Sequence, residues 1–180
     1  MAELLHIVEL GHSTLRQQAI DVDALESDRT QQLIDNLIMT VRAVNGVGIA
    51  SPQVGEASRL FIVASHPNPR YPTAPEMEPT AMINPRILSR SSEMVKGWEG
   101  CLSVPGIRGL VPRYQTIDVE YTGRNGKLQR QILTDFVARI FQHELDHLDG
   151  IVFLDRVESS RDLLTESEYQ RQIEGSEVEG

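Results

Sequence analysis

Thr134-Asp135-Phe136-Val137-Ala138-Arg139-Ile140-Phe141-Gln142-His143-Glu144-Leu145-Asp146-His147-Leu148-Asp149-Gly150 is the stretch on which the fold turns. Phe136, Val137, Ile140, Phe141, Leu145 and Leu148 recur at helical spacing and Gly150 is a stop, so a helix is expected from about Thr134 to Asp149. On that helix His143 and His147 lie one turn apart on one face, where two imidazoles can grip a single metal ion. Glu144 stands beside them. Phe136 and Ile140 continue the stripe of the two histidines toward the N-terminus, which turns the pair inward. Two histidines and a glutamate falling into register on a solvated face would lack that apolar continuation.

A catalytic site of this kind normally has three protein ligands and keeps a fourth position for water. An extended H-E-x-x-H-x-x-G-x-x-H pattern would place the third at position 153, which is Phe153. A downstream glutamate is the second option, and Glu166 and Glu168 are available, but both lie in polar sequence with little apolar material to bury them. The remaining strong donor is Cys101. A lone cysteine is more often a small buried residue. This one, however, sits in Trp98-Glu99-Gly100-Cys101-Leu102-Ser103-Val104-Pro105-Gly106, a segment able to bend close to a helix.

Outward from this centre, Leu33, Ile34, Leu37, Ile38, Val41 and Val44 predict an amphipathic helix between Ser27, its N-cap, and Gly46, its stop. Arg59 to Ser65, Thr80 to Leu88 and Gln115 to Thr122 are strand candidates. The last leads through Gly123-Arg124-Asn125-Gly126 into Leu128 to Leu133 as a hairpin. The proline-dense stretch His66 to Pro79 reads as a surface loop between two strands. From Glu158 onward seven acidic residues face only Arg161 and Arg171, a net charge of -5 out of -9 for the chain. The expected organisation is therefore one catalytic domain over residues 1–160 and an acidic C-terminal tail over 161–180, dispensable for chemistry.

At 180 residues the chain is the size of one domain and can bury a full core without disulfides or a structural metal, so a bound metal is free to be catalytic. A single cysteine and an N-terminus without an apolar leader point to the cytoplasm. No apolar run approaches the ~20 residues of a membrane-spanning helix. The net charge of -9 argues against a broad nucleic-acid-binding face.

Three segments together resemble the peptide deformylase family: Gly46-Val47-Gly48-Ile49-Ala50-Ser51-Pro52-Gln53, Glu99-Gly100-Cys101-Leu102-Ser103 and Gln142-His143-Glu144-Leu145-Asp146-His147. They occur in the family's order, and flanking similarity runs from about residue 5 to 157. The resemblance implies an α+β fold, with antiparallel strands packed around the central helix that carries H-E-x-x-H. It implies a hydrolase that removes the formyl group from the N-terminal formylmethionine of new polypeptides and releases formate. Cys101, His143 and His147 would bind one divalent ion, iron(II) before zinc, nickel or cobalt, and Glu144 would be the general base. The Gln53 amide and the Leu102 backbone N–H would stabilise the oxyanion, and Gly48 would let the backbone approach the substrate. Val47, Phe136 and Ile140 would suit the methionine side chain.

Two residues depart from the family's pattern. Ser51 stands where many members have a second alanine, a small change. Arg139 stands where an apolar residue is expected near the methionine pocket; its stem would line the pocket while its guanidinium reached water. The partners implied are N-formylmethionyl nascent peptides and a transient ribosome contact, although the acidic tail offers no basic docking helix. The competing readings are an endopeptidase that uses a tail glutamate as third ligand, and a metal-binding module without activity.

Overall fold

The computed structural model describes residues 1–178, so Glu179 and Gly180, the end of the acidic tail, lie outside the described residues. The first helix, α1 (Asp28–Ala43), begins where the serine signal placed it, with the Ser27 hydroxyl accepting the Thr30 N–H at 3.2 Å. Its buried residues Ile34, Leu37 and Val41 pack with Leu60, Ile62 and Ile83.

Five strands form one antiparallel sheet in the order β1 (Gly48–Ala50), β2 (Leu60–Val63), β3 (Thr80–Arg90), β6 (Thr116–Thr122) and β7 (Leu128–Thr134). The period-two pattern of β6 buries Ile117, Val119 and Tyr121 on one face. The hairpin turn into β7 places Gly126 at φ 77°, a conformation that favours glycine. The chain then enters α2 (Asp135–Leu148), the helix of the quoted stretch, which ends before Gly150 at φ 73°. α2 packs on β1, β2, β6 and β7, and Phe141 meets Phe61 edge-to-face at 5.2 Å between centroids. Both rings are fully buried, so truncating Phe141 to alanine would cost about 3–5 kcal/mol.

A second antiparallel sheet, β4 (Met94–Cys101), β5 (Val104–Tyr114) and β8 (Leu163–Thr165), lies against the other side of α2 through β5. Thus antiparallel strands surround the helix that carries His143 and His147, as expected. The strands β4 and β5 themselves were hidden by glycine and proline. Gly97, Gly100 and Gly109 sit in these strands because side chains press on their backbones. An added Cβ would lie 2.7 Å from Arg139 Cζ, 2.7 Å from Arg108 Cζ and 2.8 Å from Phe153 Cε2, respectively.

The change in composition at residue 160 is not a boundary of the fold. Leu163–Thr165 complete the second sheet by pairing with Ile107–Gly109, and α3 (Glu166–Val178) buries Tyr169 beside Trp98 at 5.7 Å. Leu163, Leu164 and Tyr169, with the strand pairing and the Glu166–Arg108 ion pair, dock an otherwise acidic segment. Likewise His66 to Pro79 connects β2 to β3, but it is more than a surface loop, because Tyr71 stacks on Phe136 at 4.8 Å.

Candidate active site

Cys101 closes β4, and the ladder with β5 shifts register between Gly100 and Cys101. Such an irregularity re-aims a side chain out of the strand's alternation. The cysteine thereby faces α2, with Cys101 Sγ 3.3 Å from His147 Nε2. Donor atoms of Cys101, His143 and His147 all lie within 4.8 Å of one another, and they form the one such Cys/His/carboxylate group among the described residues. Two ligands of a tetrahedral ion at thiolate and imidazole distances stand roughly 3.5 Å apart, close to the observed sulfur–nitrogen separation. The donor set therefore fits one divalent transition metal. Burial pushes His147 well below its ordinary pKa, leaving the neutral imidazole a metal ligand needs.

His143 is oriented by a residue to which the sequence reading gave no role. Its Nδ1 lies 2.9 Å from Glu99 Oε2. Burial opposes the charge on Glu99, but the Arg113 guanidinium outweighs it and holds the carboxyl well below the usual carboxylate range. An ionised carboxylate only accepts, so Nδ1 carries the proton and Nε2 is left for the ion. Arg113 binds Glu99 through both Nε and Nη2 (2.9 and 3.0 Å) and reaches Asp146 with Nη1 at 2.6 Å. Arg156 closes on Asp146 from outside at 2.8 Å. The signal available in sequence was two acidic residues, Glu99 and Asp146, each within two positions of a candidate ligand, Cys101 and His147.

Glu144 points into the same cleft. Its Oε2 is buried without a hydrogen-bond partner in the protein, and burial pushes its carboxyl up to about 7, against the pull of His143. A carboxyl near neutrality that faces a cleft is suited to taking and returning a proton. Gly48 is what makes room for it. A Cβ there would fall on Glu144 Oε1 and lie 2.9 Å from Ile140 Cγ2. Gln53 is buried, and its side-chain carbonyl accepts the Ala50 N–H at 2.8 Å, which fixes the amide orientation. Its NH₂ then faces Ser103 Oγ at 3.3 Å and Cys101 Sγ at 3.5 Å.

Cys101, His143, Glu144, Glu99, Gly48 and Gln53, with Leu102, line one cleft of about 380 Å³ whose apolar wall is Val47, Phe136 and Ile140, and His147 is fully buried beside Cys101 and His143. The structure thus brings together the residues to which the resemblance gave metal-binding, catalytic and substrate-binding roles. Arg139 differs from expectation. It lines the cleft, but its guanidinium is mostly buried and held by the protein, donating to Glu99 Oε1 (2.9 Å) and to the carbonyls of Val111 (2.8 Å) and Val95 (2.6 Å). Open backbone at Gly97 gives it a place to lie, so it ties α2 to β4 and β5. Neither tail glutamate joins the donor cluster, although Glu166 lines the cleft. Glu166 pairs with Arg108 and Glu168 with Arg171, which removes the ligand on which the endopeptidase reading depends.

Two imidazoles and a thiol within reach of one ion, a buried carboxyl beside them and an open cleft make an arrangement able to serve as a mononuclear metal hydrolase. The chain belongs to the polypeptide deformylase family, whose model matches residues 4–162. It is 68% identical over 171 residues to peptide deformylase 2 of Nostoc sp., covering 95% of this chain and 96% of the relative. It is 50% identical over 152 residues to peptide deformylase 2 of Shewanella oneidensis, covering 84% and 83%. Among solved structures, the class I type b peptide deformylase of Acinetobacter baumannii with Met-Ala-Ser bound superposes with a TM-score of 0.85 at 47% identity. That match covers 87% of this chain and all of the other.

Proposed function

We propose that this chain hydrolyses the formyl group from the N-terminal formylmethionine of newly made polypeptides, with Cys101, His143 and His147 holding one divalent ion. The observation that carries the reading is the convergence of those three donors on a cleft whose one unpartnered buried carboxylate oxygen belongs to Glu144. A divalent ion held there supplies Lewis acidity and brings the pKa of a water toward neutrality. Iron(II) is the first choice for the ion; zinc, nickel and cobalt suit the same donors.

Glu144 accepts the proton of the attacking water and returns it to the amine released with the peptide. The Gln53 NH₂, locked by Ala50, and the Leu102 backbone N–H donate to the oxygen that gains charge; removing one such donor typically costs ~10²–10³ in rate. The methionine side chain lies along Val47, Phe136 and Ile140. Beside Gly48, the packed Glu144 and Ile140 leave room for the hydrogen of a formyl group and exclude the methyl of an acetyl group.

The setting is the cytoplasm, where formylated nascent chains arise. No described helix is long and apolar enough to cross a membrane, and any ribosome contact would use a surface other than the acidic α3. Incubating anaerobically purified protein with formyl-Met-Ala-Ser tests the proposal. Formate release with the peptide bonds intact is the expected result, and internal cleavage or no formate overturns it.

A further inference from the structure

Residues 1–9 belong to no helix or strand, yet the segment is tied down by its own N–H groups. The Glu3 N–H donates to Asn36 Oδ1 at 2.8 Å and the Leu5 N–H to Thr40 Oγ1 at 3.0 Å. Asn36 and Thr40 are buried polar residues one turn apart on α1, and the Thr40 hydroxyl is itself aimed by donating to the Asn36 carbonyl at 2.7 Å. Leu5 and Ile7 pack on the core beneath α1. The first helix thus anchors the N-terminal segment, although the segment's own side chains are largely exposed.

Past this anchor the segment reaches two loops of the cleft. The Val8 N–H donates to the Gln53 carbonyl and the Leu10 N–H to the Ser103 carbonyl, both at 2.8 Å. Extended chain turns alternate N–H groups the same way, so one two-residue step spans both acceptors. Gln53 lies in the single turn Ser51–Val54 that follows β1, whereas Ser103 follows Leu102 in the turn from β4 to β5. The Gln53 amide and the Leu102 N–H, the two donors proposed for the oxyanion, therefore come from different sheets. Neither ladder fixes their separation. The direct link between the loops, Gln53 Nε2 to Ser103 Oγ, is 3.3 Å, long beside the usual ~2.9–3.0 Å. Val8 and Leu10 close a ring around that link with two shorter bonds.

We infer that Val8 and Leu10 are positioning residues, whose N–H groups hold the Gln53 loop and the Leu102–Ser103 turn at the separation that the oxyanion requires. The inference rests on the deformylase reading and adds the N-terminal segment to its machinery. Val8→Pro and Leu10→Pro each remove one N–H, and they are assayed on the full-length metal-loaded enzyme with formyl-Met-Ala-Ser. Each should lower kcat by ~10-fold, short of the ~10² that a misplacement of about 1 Å can cost, with KM within about twofold and the metal retained. In a Gln53→Ala background Val8→Pro should cost no more than about twofold, because the amide that it positions is gone. A lowered Tm with wild-type kcat makes the segment a stabilising strap alone and overturns the inference. Loss of metal, or a loss of rate that multiplies in full with Gln53→Ala, overturns it too. Should the proline variants not fold, Thr40→Val takes the acceptor of Leu5 from an intact α1 and must lower kcat with metal retained; unchanged kcat overturns the inference equally. A wild type inactive on formyl-Met-Ala-Ser overturns the deformylase reading itself.

Discussion

Gly48→Ala isolates the geometry of the proposed base without touching any proposed ligand. The added methyl would land on Glu144 Oε1, 3.0 Å from Glu144 Cδ and 2.9 Å from Ile140 Cγ2. Carbon atoms rest at about 3.5–4.0 Å, so relief requires a shift of roughly 0.5–1 Å. Ile140 is held in the packed core around α2, whereas Glu144 Oε2 has no partner to hold it. The carboxylate is therefore the group that moves. A misplacement of about 1 Å can cost ~10² in rate, while overpacking of this size costs about 1–3 kcal/mol of stability. The assay is steady-state deformylation of formyl-Met-Ala-Ser beside elemental analysis of bound metal. A fall in kcat of about two orders of magnitude with metal retained is expected. Wild-type kcat would refute the claim that Gly48 exists to seat Glu144; a raised KM alone would return Gly48 to the role of backbone approach to substrate.

Glu99→Gln should weaken metal retention by about 10–100-fold, measured by competition with a chelator, because the amide leaves His143 without its anionic partner. Cys101→Ser removes the softest donor and should shift metal preference or lower metal content; stoichiometric binding with unchanged preference would exclude Cys101 from the site. At Glu166 burial opposes the charge, but the Arg108 hydrogen bonds outweigh it and hold the carboxyl below its usual range. Its stabilisation is therefore present above the unfolded value of about 4.3 and lost as pH falls through the lower folded value. Glu166→Gln should accordingly have a lower Tm than wild type at neutral pH, with the gap closing in acid; a gap that widens in acid contradicts the assignment.

The helices α1 and α2 and the strands β2, β3, β6 and β7 were legible because their signals are local, whereas β1 and α3 were not read. Ser27, the 3.6-residue stripes and Gly150 mark helix ends, and the alternation of Ile117, Val119 and Tyr121 marks β6. The second sheet was not legible, because Gly97, Gly100 and Gly109 owe their place to Arg139, Arg108 and Phe153, partners 42, 8 and 44 positions distant along the chain. Glu166 was set aside for the same reason. Nothing beside it in sequence could bury it, whereas the packing comes from β5 and from Tyr71. The proposed ligands and base fared better because two of the ligands and the base share one helix. Their orienting shell did not, since an Arg113 that joins Glu99 to Asp146 follows from strand register, not from spacing.

The division of labour on α2 is the core of this account, and Glu144→Gln tests it most directly. The substitution keeps size and a hydrogen-bonding group but removes the base, and general acid–base roles are commonly worth ~10²–10⁴ in rate. Metal content and single-turnover deformylation measured on the same preparation should show about one ion per chain and a loss of rate in that range. Near-wild-type deformylation with metal confirmed would contradict the proposed mechanism, and loss of the ion would place Glu144 among the groups that hold it.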